Sequence, residues 1–152
     1  MKHKSMILLL LAAPFFVNAM QSVFQKSYED HLNESLTLLE QGSDLTPVAI
    51  FNSMPTTTQE AETFYALDYG DRSKTFRKLN RLIQEKALEG HVEILGRFIT
   101  MSQFVDGYFA EAYFDDIEAW AMKNSEDFCR LISSLPPEQV RRLPSLQEAL
   151  CL

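Results

Sequence analysis

Residues 71–90, DRSKTFRKLNRLIQEKALEG, decide the fold class of this chain. Phe76, Leu79, Ile83 and Ala87 recur at three and four residues and line one side of a helix, while Lys74, Arg77, Lys78 and Arg81 fall in one stripe opposite. A strand has period two and would scatter both sets over both faces. Asp71 is expected to cap the start of this helix and Gly90 to close it.

The same helical period runs outward in both directions. Upstream, Phe24, Tyr28, Leu32, Leu36 and Leu39 form an apolar stripe that stops at Gly42. Thr46-Pro47 then supplies an N-cap and a proline at the first helical position, and Pro55 prevents that short helix from passing Met54. Thr57 to Glu60 fits a capping box opening a third helix with Ala61, Phe64, Tyr65 and Leu67, ending near Gly70. Downstream, Val92, Leu95, Phe98 and Ile99 carry a helix from His91 to Ser102, and Phe109, Tyr113, Ile117 and Trp120 another from Gly107 to Lys123. A break at Val105-Asp106-Gly107 and one long helix running through it both satisfy the pattern. Ser125 can cap a helix with Phe128, Leu131, Ile132 and Leu135, which Pro136-Pro137 ends, and two short pieces follow at Pro137–Leu143 and Pro144–Cys151. The expectation is an all-α domain, a compact bundle or curved array of seven to eight short-to-medium helices.

The first residues, MKHKSMILLLLAAPFFVNA, read as an export signal: basic Lys2, His3 and Lys4, an apolar run from Met6 to Val17, and small residues ending at Ala19. Twelve residues interrupted by Pro14 fall short of the roughly 20 that a membrane-spanning helix needs. The organisation expected is therefore a signal peptide cleaved after residue 19 and a single helical domain over 20–152, with no stable membrane anchor after cleavage. Localisation is expected to be exported, either periplasmic or secreted. A chain of that length can bury roughly two thirds of its unfolded surface in one core.

Export changes the reading of charge and cysteine. The whole chain carries 14 basic and 21 acidic side chains, a formal −7, and loss of Lys2 and Lys4 with the leader leaves −9. Such a field repels phosphate backbones, so nucleic acid is not an expected partner, and a cationic protein surface is. Cys129 and Cys151, the only two cysteines, are expected to pair in an oxidising compartment.

Two charged constellations remain. Lys74, Arg77, Lys78 and Arg81 could contact an anion; the ordinary alternative is a solvated face with ion pairs to Glu85 and its acidic neighbours. Glu111, Asp115 and Glu118 follow at four and three residues as one acidic stripe with Tyr108 beside it, and Asp116 lies well round from them. These carboxylates suit a partner-binding face or a solvated one, and oxygen ligation of a metal is a third use. A helical di-metal site draws Glu-x-x-His pairs from more than one helix, and the chain has none, so no metal is expected. His31, between Asp30 and Glu34, fits a boundary position on its helix. No nucleophile elbow, P-loop or dinucleotide fingerprint accompanies it, so neither catalysis nor a cofactor is expected.

The function expected is that of an exported, non-enzymatic protein that occupies a surface on another exported or cell-envelope protein. In size, compartment and charge the chain is similar to periplasmic immunity proteins that neutralise cationic toxins, although no motif carries the comparison. One alternative is a small exported hydrolase or metal-dependent enzyme using the carboxylates. Another is a helical ligand or lipid carrier with a pocket lined by Tyr65, Tyr69, Tyr108 and Phe114. Exposed apolar residues could equally seal a homodimer.

Overall fold

The computed structural model describes residues 26–151, which form helices, turns and loops with no strand among them. The expected signal peptide and Phe24 of the first apolar stripe lie outside the described residues. Eight α-helices follow in order among the described residues: α1 Tyr28–Glu40, α2 Pro47–Asn52, α3 Thr58–Ala66, α4 Ser73–Leu88, α5 Val92–Ser102, α6 Gly107–Lys123, α7 Ser125–Ser134 and α8 Pro144–Cys151. Short 3-10 turns at Leu67–Tyr69 and Pro137–Gln139 complete the path. The chain is all-α, as the periodicity predicts, and α5 and α6 are separate helices. None of the described helices is long and apolar enough to cross a membrane.

The helix that decides the fold class is also its hub. α4 packs against α1, α2, α5, α6 and the first 3-10 turn. Phe76, Leu79, Ile83 and Ala87 consequently lose all exposure to solvent. Around Phe76 the rings of Phe64, Tyr65 and Phe109 approach at 5.0, 6.3 and 6.1 Å between centroids, the first two and Phe109 all edge to face. α7 and α8 pack against α6 and against each other, and the Cys129–Cys151 disulfide joins them, with Cα atoms 5.5 Å apart.

Asn80 sits on the buried face of α4 among these apolar residues. Its Oδ1 accepts from the Tyr113 hydroxyl, which in turn accepts from the Tyr65 hydroxyl at 3.3 Å. The chain of three side chains links α3, α4 and α6 and leaves no buried side-chain polar atom unpartnered among the described residues. Burial pushes both phenols far above their ordinary titration range, so they stay neutral donors.

Arg142 ties the C-terminal segment to the α5–α6 loop. Its guanidinium donates to the carbonyls of Ser102 at 3.2 Å and Val105 at 2.6 Å and to Asp106 at 3.2 Å, while its backbone N–H donates to Gln103 Oε1 at 3.1 Å.

Several helix starts differ from expectation. α4 begins at Ser73 with no side-chain cap, so Asp71 is a turn residue rather than the N-cap. Arg72, just before the helix, reaches across to Glu40, Asn33 and Thr37 of α1, and this long-range pairing fixes the entry. Thr57 caps α3 by accepting from the Glu60 N–H at 3.2 Å, but the Glu60 carboxylate reaches one residue further back, to the Thr56 N–H and hydroxyl, so the capping box is not reciprocal. Ser125 is the first residue of α7 and not its cap, because Asn124 stands before it and turns its amide back to the Trp120 carbonyl. The reciprocal box forms instead at Ser27 and Asp30, at the start of α1.

Candidate functional site

α6 is amphipathic in a way that sets out the site. Tyr113, Ile117 and Ala121 are fully buried, so the residues at the opposite angle must face outward. These are Tyr108, Glu111, Asp115, Glu118 and Met122, spaced three, four, three and four residues apart. All five are exposed, Tyr108 by 80 % and Met122 by 63 %. Gly107 enters the helix at φ +59, a left-handed conformation that an L side chain rarely adopts, and so swings Tyr108 onto the outer face directly after the loop.

The three carboxylates expected at a partner face, Glu111, Asp115 and Glu118, are thus one bare strip with an aromatic ring at its N-terminal end. Among the described residues no salt bridge joins any of them to a base. Like charges at these spacings destabilise a helix by about 0.2–0.5 kcal/mol per pair. The strip therefore contributes nothing to the stability of its own helix. Side by side on an outward face, the three do not converge, and no group of three or more His, Cys, Asp or Glu among the described residues is placed to hold a metal.

Asp116 lies round the helix and half buried, as its angle predicts. Burial first, and the neighbouring Asp115 charge second, hold its carboxyl above the ordinary carboxylate value. The folded protein accordingly binds this proton more tightly than the unfolded chain, and the associated stability falls as pH rises through the folded pKa. Asp116→Asn is expected to give a small rise in melting temperature at pH 7 and none at pH 3, where the carboxyl is protonated in both states. Equal changes at the two pH values would contradict this assignment.

The basic stripe on α4 is exposed as well, at Lys74, Arg77, Lys78 and Arg81. Arg77 donates to Asp68 at 2.7 Å, and this hydrogen bond with its charge raises the guanidinium pKa further. Within the stripe it is therefore Asp68, and not Glu85, that supplies an ion pair, while Lys86 beyond the stripe pairs with Glu89 at 2.6 Å. The acidic and basic stripes form no ion pair with each other among the described residues, because α4 and α6 meet through their apolar faces. His31 is half buried on α1.

The four aromatic residues expected to line one ligand pocket are dispersed. Tyr65 and Tyr69 border a groove of about 380 Å³, Phe114 borders a different one of about 290 Å³ beneath the Arg142 guanidinium, and Tyr108 stands in solvent. A roomier cleft of about 540 Å³ runs between Val92, Leu95, Trp120 and Leu131. Its rim charges are matched internally, Asp127 by Arg130 and Glu89 by Lys86.

Sequence reasoning did not single out Glu62, Phe104 or Asp106, which share the groove with Tyr65 and Tyr69. Glu62 belongs to α3 whereas Phe104 and Asp106 share the α5–α6 loop, and no spacing signal connects the two stretches. Compared with family models, curated proteins and solved structures, the chain has no match.

Proposed function

We propose that the chain is an exported, non-enzymatic binding protein that docks on a cationic surface of another exported or cell-envelope protein, in the manner of a periplasmic immunity protein neutralising a toxin or enzyme. The contact face on this reading is Tyr108, Glu111, Asp115 and Glu118 of α6, continued by Met122. The observation that carries the reading is that this face is bare, unpaired by any base among the described residues and unfavourable to its own helix. An acidic strip of this kind steers an oppositely charged partner and fixes its orientation, while an exposed tyrosine offers a large apolar body with a polar tip for the centre of an interface.

The test is capture from the envelope and secreted fractions of the source organism, with wild-type protein and with Glu111→Lys/Asp115→Lys on parallel matrices. Wild type is expected to retain one stoichiometric cationic protein that high salt releases, and the variant to lose it. Retention of the same partner by both matrices would place the contact elsewhere, and the absence of any stoichiometric partner would count against a binding function.

A further inference from the structure

The groove at the N-terminal end of the acidic strip combines aromatic rings with carboxylates. It is lined by the rings of Tyr65 from α3, Phe104 from the α5–α6 loop and Phe109 from α6, with Tyr69 of the first 3-10 turn at its edge. Tyr65 and Phe109 lie 5.3 Å apart between centroids, and Phe109 is in turn 5.8 Å from Tyr108. Glu62 and Asp106 are the two carboxylates that line it. A cavity of about 380 Å³ admits one long side chain and is too small for a helix or strand.

Two features decide the polarity of the occupant. Aromatic faces attract a cation through their quadrupoles, and a planar guanidinium stacks on them better than an ammonium does. Glu62, which no base pairs among the described residues, adds charge of the sign that such a cation needs, and Asp106, paired with Arg142 through one oxygen, offers its second oxygen, in a chain whose net charge is −7. Asp106 is 96 % exposed at its side chain and accepts from Arg142 through Oδ1 alone. Because Arg142 commits its other contacts to the carbonyls of Ser102 and Val105, it holds Asp106 in place at the groove mouth. Tyr69 is 91 % exposed and, like Tyr108, stands at the rim where a partner would cover it.

We infer that this groove is the socket for a single arginine side chain of the protein partner, its charge met by the Glu62 and Asp106 carboxylates and its plane stacked on the tyrosine and phenylalanine rings. The inference rests on the reading of the chain as a binder of a cationic protein and names the side chain that would anchor it. Lysine would enter the same socket more weakly, lacking the planar face.

The experiment uses isotopically labelled full domain and two probes, the peptide Gly-Gly-Arg-Gly-Gly and its citrulline counterpart, which keeps the planar shape and removes the charge. The arginine peptide is expected to give saturable amide shifts at Thr58, Glu62, Tyr69, Phe104 and Asp106, and the citrulline peptide to bind about tenfold more weakly. Glu62→Lys should abolish the saturable shifts, and Tyr69→Ala should weaken them several-fold without altering the remaining spectrum. Glu111→Lys/Asp115→Lys/Glu118→Lys should leave them nearly unchanged, which separates the socket from the strip. Shifts that never saturate, shifts elsewhere on the surface, or equal binding of the two peptides would overturn the socket. A socket that binds arginine in a protein that captures no partner would instead overturn the wider reading.

Discussion

Phe76→Ala is expected to destabilise the domain by about 3–5 kcal/mol, the range for truncating a fully buried aromatic residue in a core. Phe76 is wholly buried on the helix that the rest of the fold packs around, and its ring meets three other rings edge to face. Alanine removes the transfer free energy of the ring and leaves a hole that Phe64 and Tyr65, held on α3, and Phe109, held on α6, cannot jointly close. Domains of this size are stable by only about 5–15 kcal/mol, so the variant should stand close to unfolding at 37 °C. Urea denaturation is the measurement, with the midpoint shifted and the slope unchanged. A loss under about 1.5 kcal/mol would mean that the rings repack freely and that α4 is not the hub.

Replacing both Cys129 and Cys151 with serine is expected to cost roughly 3 kcal/mol and on the order of 10 °C in melting temperature. The bridge spans 22 residues and closes a loop containing the end of α7, the second 3-10 turn and most of α8. In the chain-entropy account the gain comes from the restricted unfolded chain. α8 has no fully buried residue of its own, so without the bridge it is held by the partly buried Leu146 and Leu150. The variant should therefore show fast amide exchange in α8 before any loss of protection in α4. Scanning calorimetry of the oxidised protein and the double variant checks the first part, and hydrogen exchange the second. Equal melting temperatures would show that the tail is docked by packing alone.

Helix existence was legible because each helix repeats apolar residues at three and four, and the stripe Phe76/Leu79/Ile83/Ala87 maps directly onto the buried face of α4. The acidic strip was legible for the same reason, since Glu111, Asp115 and Glu118 lie within one helix, where spacing alone sets angle. Helix starts were less so. Asp71 has the chemistry of a cap, yet Arg72 is drawn to Glu40, 32 residues away, and the start moves to Ser73. Asn80, buried on the apolar face of α4, draws its partner from Tyr113, 33 residues on, which spacing within one helix does not reveal. Glu62, Tyr69 and Asp106 were invisible as a group for a related physical reason, because their proximity depends on the packing of α3, the 3-10 turn and the α5–α6 loop. Local periodicity reports what one helix presents, whereas polar contacts between elements depend on tertiary placement.

Steering of a cationic partner by the α6 strip is measured by the association rate of the captured partner with wild type and with Glu111→Lys/Asp115→Lys across a salt series. An association rate about tenfold or more slower is expected for the variant at low salt, with a flatter salt dependence and a smaller change in dissociation rate. Association rates that agree within about twofold at every salt concentration would contradict it.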